Sequence, residues 1–369
     1  MKINVTYIIS DIDKALAFEW IASKMDSSKV NLSFILILQK PAALELFLRE
    51  RNIQVNTLFY SNKKDFPLVF LKLYKLLRKS RSDVVHCHLF YGSLLGLSAA
   101  CLAGIKKRIY TRHHSDFHFR YFPAGIKWDK LCNRLATLVI APSSTVSEIL
   151  IGSENVPASK VRVIHHGFDL SYFQNVSPER INSLRDKYNI QNAYPVIGVI
   201  SRFTELKGIQ YIIPAFQRLL ESHPTALLLL FNAQGDYENQ IKKQLDAIQD
   251  NYRLISFEND LSAVYRLFDI FVQVSTDRSI EAFGQTYVEA LAAGVPSVFT
   301  LSGIAIDFIE DGKNAILVPF KDTDAIYNAF NIILNDRDLQ NTLKKNGLAS
   351  IKLFSLQKFV NHLEELYVE

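Results

Sequence analysis

Short runs of Val, Ile, Leu and Phe, apolar at nearly every position, alternate along this chain with longer stretches whose apolar residues recur three or four apart. The first kind predicts strands at 3–9, 32–38, 53–59, 84–88, 108–111, 138–141 and 161–164; the second predicts helices between them, such as 14–24, 42–51, 68–79 and 93–102. Strands that are apolar throughout are covered on both faces, and helices between them imply parallel sheets. A polar stretch at 174–193, carrying Pro178 and several charges, reads as a linker. After it the alternation restarts, with strands expected at 196–200, 227–231, 254–257, 270–274, 297–299 and 316–318 and helical segments from 325 to 367. The expected class is α/β, with two doubly wound Rossmann-like domains at 1–173 and 194–354 and a terminal helix at 355–369. Two such halves would place a crevice between them, and ligands of these sheets bind outside the carboxyl ends of the strands.

The 369 residues fit two domains, and 49% apolar content supports two cores and excludes disorder. A formal charge of +5 suits anionic substrates or an anionic membrane surface, but is too diffuse to argue for nucleic acid. Cys87, Cys101 and Cys132 are an odd set without metal spacing, which fits a reducing cytoplasm. The apolar start is of strand length and is broken by Asp11 and Asp13, so no export signal is expected. No window reaches the ~18 apolar residues of a membrane span, so the expected location is cytoplasmic, with any membrane contact peripheral.

Candidate chemistry concentrates between Ser275 and Pro296. There a strand end, a polar loop and a Phe283-Gly284 turn lead into a helix from about 286 that stops at Gly294-Val295-Pro296. Free amides and the dipole at a helix N-terminus favour an anion such as a phosphate. Glu281 and Glu289 flank the turn, and Glu289 stands among Tyr287, Val288, Ala290 and Leu291, where no hydrophobic reason accounts for it. A carboxylate facing the anion site would accept hydrogen bonds from hydroxyls, as in ribose recognition, so the local chemistry suggests a nucleotide.

This segment, Glu281 with Phe283-Gly284 after it and Glu289-Ala-x-Ala-x-Gly-x-Pro296, resembles the nucleotide-sugar site of glycosyltransferase family 4, retaining enzymes of the GT-B fold. The resemblance covers nearly the whole chain and is strongest from 196 to 318. It implies metal-independent transfer of a hexose-type sugar, with retention, from a nucleoside-diphosphate sugar to a hydroxyl of a glycan or glycolipid acceptor, in surface polysaccharide, lipopolysaccharide or glycolipid synthesis. No cofactor and no metal are implied beyond that donor substrate. By the same resemblance Glu281 meets the donor sugar's hydroxyls and Glu289 the ribose. The amides of Phe283, Gly284 and Gln285 would hold the diphosphate, and the backbone around Phe257 to Asn259 the base. The family also returns its last helix to the first domain, here after about 355.

A departing nucleoside diphosphate gains negative charge, and without a metal something cationic must stabilise it. Arg offers a fork of donors matched to phosphate oxygens and Lys a compact charge. Arg202 and Lys207 resemble the family's Gly-Arg-x4-Lys-Gly element, with Ser201 in place of the first glycine; the plainer reading is two solvated loop charges. Asn232-Ala-Gln-Gly235 and Ala315 also depart from the family's glycines.

In the first half, His86 and His88 end one strand and Thr111-Arg112-His113-His114 another. By resemblance His113 lies near the reacting sugar, with His114 the alternative in register. His86 reads as a packed core residue, and His88 as either core or acceptor contact. No carboxylate or thiol sits at ligand spacing from these histidines, so no metal is expected. His166-Gly167-Phe168-Asp169 resembles the family's Asn-Gly-x-Asp turn. The glycine-rich loop usual after the first strand is replaced by Ser10-Asp11-Ile12-Asp13. Either a helix from Asp13 supplies amides there or the acceptor sits differently. Ser10, Asp11, Asp13, His88 and His114 are the acceptor candidates, the two aspartates serving equally as helix caps.

Lys72, Lys75 and Lys79 recur on an amphipathic helix that could lie on anionic lipid or simply face solvent. Rival readings of the whole are a nucleotide-sugar epimerase or phosphorylase of the same architecture, and a non-catalytic sugar-nucleotide-binding subunit.

Overall fold

Seven parallel strands build the first sheet: β1 (Ile3–Ser10), β2 (Val30–Leu38), β3 (Gln54–Phe59), β4 (Val84–His88), β5 (Lys107–Thr111), β6 (Leu138–Ala141) and β7 (Val161–Val163). Six more build the second: β8 (Val196–Ile200), β9 (Leu227–Phe231), β10 (Tyr252–Ile255), β11 (Ile270–Gln273), β12 (Ser297–Phe299) and β13 (Ile316–Leu317). The computed structural model describes residues 2–369, and each sheet is the centre of one α/β unit. The first unit runs to Phe168 and is completed by Phe354–Glu369; the second is Asp169–Leu353.

The strand orders are β3-β2-β1-β4-β5-β6-β7 and β10-β9-β8-β11-β12-β13. In each sheet the winding reverses once, between β1 and β4 and between β8 and β11. Loops leaving these strands diverge at their carboxyl ends and open a binding crevice there. Register brings the ends level: Ile9 pairs with His88, and His88 with Thr111.

Burial explains why the strands read as unbroken apolar runs. Tyr7, Phe34, Leu36 and Ile140 belong to one core, and Ile197, Leu228, Leu230, Val272 and Val298 to the other. The terminal helix Leu356–Val368 adds Leu356, Val360, Leu363 and Tyr367 to the first core, spaced as one helical face. It is also tied in by polar contacts. The Tyr367 hydroxyl lies 2.6 Å from that of Tyr7 and 2.7 Å from His86 Nδ1, while His86 Nε2 lies 2.9 Å from Thr111 Oγ1.

The expected linker is a correction. Residues 178–188 form a helix, Pro178–Tyr188, opened by a proline at a position where no intrahelical amide bond is lost. It belongs to the second unit, with Arg180 pairing with Asp260, and Lys187 Nζ and Tyr188 OH donating to Glu258 at 2.6 and 2.5 Å. The units divide at Phe168/Asp169, five residues before the expected boundary at 173. β10 also ends at Ile255, which leaves Phe257 in the following loop. No helix among the described residues is long and apolar enough to cross a membrane.

Tyr367→Phe removes a buried hydroxyl that two other buried groups depend on. It should cost about 1–3 kcal/mol in urea unfolding. A loss below about 0.5 kcal/mol, the level of an ordinary surface change, would mean the network does not hold the helix.

Candidate active site

The loop after β8 closes onto the end of β11. Gly208 sits at φ +73°, and a Cβ there would lie 1.9 Å from the Val274 carbonyl oxygen, so only glycine permits the approach. The Thr276 amide and hydroxyl then donate to the Leu206 carbonyl at 2.9 and 3.2 Å. This stitching carries Lys207 Nζ to 2.5 Å from Glu281 Oε1. The two side chains are 19% and 10% exposed, so the pair is largely removed from water.

Ser275 Oγ and Gln273 Nε2 donate to the same Oε1, at 2.7 and 2.9 Å. No donor among the described residues reaches Oε2, which is left to accept from a ligand. Burial pushes the Glu281 carboxyl up, but the Lys207 ammonium and the three hydrogen bonds outweigh it and hold the group below the ordinary carboxylate range. The loop after β12 backs the site: Ser302 Oγ accepts from the Glu281 amide at 3.2 Å. Gly303, at φ +58°, passes so close that a Cβ would lie 2.6 Å from that of Glu281.

The helix Gln285–Ala292 starts after Gly284 without a side-chain cap, which leaves its amide end without a neutralising partner. Phe283 is buried and its carbonyl accepts from Ile304. Glu289 is buried in this helix, not on a surface, and its Oε2 accepts from the Tyr265 hydroxyl at 2.7 Å. Burial, only partly offset by that bond, raises its pKa to about 7. Arg202 shares the loop of Lys207 and is exposed, and no carboxylate among the described residues pairs with its guanidinium. The neighbouring Phe203 anchors the loop: its amide donates to Gln234 and its carbonyl accepts from Tyr237. Phe257 and Asn259 are both exposed after β10, on a loop held by the Glu258 contacts already described.

In the first unit, His88 Nδ1 lies 3.1 Å from His113 Nε2, and the His113 ring stacks on His166 at 5.7 Å. Burial pushes His86 and His113 down to about 3 and His166 to about 4, and holds His88 well below its ordinary value. These imidazoles are neutral and can only exchange hydrogen bonds. The Ser10 hydroxyl is buried and accepts from the Gly92 amide at 2.9 Å. Asp11 accepts from the Tyr60 hydroxyl at 2.5 Å. The expected helix from Asp13 begins instead at Leu16, because Asp13 Oδ1 is engaged by the Ala43 amide at 2.9 Å and caps the helix Ala43–Glu50.

A buried charge network was not visible beforehand. Asp129 Oδ2 lies 2.5 Å from His118 Nδ1 and 3.1 Å from Arg112 Nη2, and Oδ1 lies 3.3 Å from His114 Nε2. Arg112 also pairs with Glu154. The sequence did carry a signal: Asp129, Cys132 and Asn133 share the buried face of the helix Ile126–Leu135. His114, His118 and Asp129 offer atoms within 4.8 Å of one another, a carboxylate beside histidines that the sequence had not suggested. The fixed guanidinium on that carboxylate opposes a divalent cation, so the set does not fit a metal. A cavity of about 220 Å³ lies against Phe90, His113, His114 and Asp129.

The family model described as glycosyl transferases group 1 matches residues 180–349, and that of glycosyltransferase family 4 matches residues 36–172. The chain is 28% identical over 335 residues to alpha-monoglucosyldiacylglycerol synthase of Acholeplasma laidlawii, covering 83% of this chain and 80% of that protein. It is 28% identical over 355 residues to the capsular polysaccharide biosynthesis glycosyltransferase CapM of Staphylococcus aureus, covering 87% and 91%. The crystal structure of Anabaena Alr3699/HepE in complex with UDP and glucose superposes with a TM-score of 0.84 over 99% of each chain at 20% identity.

Lys207→Met strands a buried carboxylate and should destabilise the second unit by about 3–5 kcal/mol, much of it regained on adding Glu281→Gln. Strictly additive losses in denaturant unfolding would refute the coupling. Glu289 behaves oppositely to Glu281. Its folded pKa of about 7 exceeds the reference 4.5, so its stabilising contribution is complete below pH 4.5 and lost as pH rises through 7. Relative to Glu289→Gln, the wild type should lose on the order of 3 kcal/mol across that window; parallel pH profiles would contradict the burial argument.

Proposed function

As the chain belongs to the group 1 and family 4 glycosyltransferases and has their GT-B fold, we propose that it moves a hexose-type sugar from a nucleoside diphosphate to an acceptor hydroxyl, with retention and without a metal. The observation that carries this reading is the buried Lys207–Glu281 pair at the winding reversal of the second sheet, with Glu281 Oε2 open beside an uncapped helix. Lys207 spends one of its three N–H donors on Glu281 and keeps two for phosphate oxygens. Arg202 and the amides of Phe283, Gly284 and Gln285 complete the cradle that stabilises the leaving diphosphate. Glu281 Oε2 orients the sugar, and Glu289 accepts from the ribose. Phe257 and Asn259 lie where a base would be held by backbone groups.

With Glu281 Oε1 occupied by three donors, this carboxylate orients the sugar and is not a nucleophile. The acceptor hydroxyl attacks from the face the phosphate leaves. His113 and His114, with Asp11, Asp13 and His88 near them in sequence or space, are the acceptor-side groups. Names among the relatives support a glycolipid or surface-polysaccharide acceptor, and the UDP and glucose in the structural neighbour support a nucleotide-sugar donor.

A thermal-shift screen against UDP-, GDP- and ADP-sugars should give one stabilising donor, with a gain near 2.7 kcal/mol at a hundredfold excess over Kd, unchanged by divalent metal. A shift that needs metal would overturn the mechanism, and turnover of the sugar without an acceptor would favour an epimerase. Arg202→Ala should leave stability within about 0.5 kcal/mol while lowering kcat about 10²–10³-fold. Glu289→Ala should weaken donor binding sharply in calorimetry.

A further inference from the structure

The first unit carries an apolar surface that nothing among the described residues covers. Between Phe117 and Trp128, five aromatic side chains stand 37% to 49% exposed: Phe117, Phe119, Tyr121, Phe122 and Trp128. Local structure forces them outward. The helix Phe117–Arg120 is one turn long, and its inward position is taken by His118, which is held by Asp129. A turn with one inward position cannot bury its other rings.

This patch continues into a second one through ring contacts. Phe122 touches His118 at 5.5 Å, His118 touches Phe90 at 5.4 Å, Phe90 touches Tyr91 at 5.2 Å, and Tyr91 touches Phe66 at 4.9 Å. Phe66 opens the helix Phe66–Ser80, whose Leu68 and Leu71 are 56% and 53% exposed beside the exposed Lys72 and Lys75. The result is one strip of exposed apolar side chains across the unit.

The charge on the strip has one sign. Its acids are engaged: Asp65 accepts from two backbone amides, Asp116 pairs with Arg120, and Asp129 is buried beneath Arg112. Its lysines face outward, and two lie over the exposed edge of aromatics, Lys127 Nζ 5.0 Å from the Trp128 ring and Lys63 Nζ 5.8 Å from that of Tyr91. Aromatic rings seat at the headgroup level of a bilayer, and lysines beside them meet lipid phosphates.

We propose that this strip, from the helix Phe66–Ser80 to Trp128, docks the first unit on a bilayer surface rich in anionic lipid. It places the weight of membrane contact on the aromatic segment, with Lys72 and Lys75 as its charged flank. Phe90 both lines the 220 Å³ cavity beside His113 and belongs to the chain of ring contacts, so docking sets that cavity at the lipid surface. The docking stands independently of the sugar-transfer reading.

The chain contains two tryptophans, Trp20 and Trp128. In a Trp20→Phe variant, Trp128 alone reports. Its emission should shift to the blue and be quenched by brominated acyl chains when phosphatidylglycerol is mixed into phosphatidylcholine vesicles, and should not change with phosphatidylcholine alone. Phe119→Ser with Phe122→Ser should lower vesicle partition about tenfold or more. Lys72→Glu, Lys75→Glu and Lys127→Glu together should lower it comparably and flatten its salt dependence. Melting curves establish that the variants are folded; where one is not, the emission of the single-tryptophan chain decides. Unchanged emission with anionic vesicles, partition indifferent to both sets of substitutions, or binding of a soluble polysaccharide in place of vesicles would overturn the proposal. Donor titration in the same samples separates the two readings, since loss of vesicle binding with nucleotide-sugar binding intact removes the docking alone.

Discussion

Everything at the candidate site follows from the closure of the loop after β8 onto the end of β11. The contact between Gly208 and the Val274 carbonyl leaves no room for a side chain. It forces a lysine and a glutamate, remote in sequence, into one poorly solvated pocket. A buried ion pair is weak evidence for stability, because desolvation offsets most of the attraction. Its value here is positional. Glu281 fixes the ammonium, Ser275 and Gln273 fix Glu281, and the charge is in place before any ligand arrives, which is the condition for electrostatic stabilisation without reorganisation.

The two units solve the problem of buried polar groups differently. In the second, ionised groups are kept ionised by pairing, or, for Glu289, left near the point of balance by a single tyrosine donor. Hydroxyls arriving at Glu289 would favour its anion, so donor binding and proton release are coupled at that carboxyl. In the first unit, His86, His88, His113 and His166 shed their charge, and the ions that remain, Arg112, Asp129 and Glu154, are consumed by one another. The groups proposed for the acceptor therefore recognise it by hydrogen bonds and shape, a chemistry suited to an uncharged hydroxyl.

Legibility in the sequence tracked burial. Strands covered on both faces announced themselves as unbroken apolar runs, and 84–88, 138–141, 196–200, 227–231 and 297–299 have the expected bounds. The helix Pro178–Tyr188 was invisible because it buries only Leu184 and is held by ion pairs to Asp260 and Glu258, far along the chain. Lys207, Glu281 and Glu289 stood out as charges in apolar or glycine-bounded frames. Their partners did not: Tyr265 looks like any core aromatic until its hydroxyl meets Glu289. Asp129 was passed over for a related reason, since its place in the network depends on Arg112 and His118 arriving from other elements.

The loop after β1 shows what the missing glycines mean. Asp11 takes the left-handed conformation itself, at φ +48°, a position costing a non-glycine residue about 1 kcal/mol. The Tyr60 hydroxyl on its carboxylate and the Ile37 carbonyl on its amide hold it there, and Gly92 claims the Ser10 hydroxyl. The loop is thus braced from β2, β3 and the helix Phe90–Leu102, and it presents an acid where an open backbone would present amides. A phosphate would meet repulsion at this turn. In the second unit, the corresponding loop presents Arg202 and Lys207. Charge alone therefore divides the labour: the anionic part of a sugar nucleotide belongs with the second sheet, and the turn after β1 is left to groups that donate hydrogen bonds.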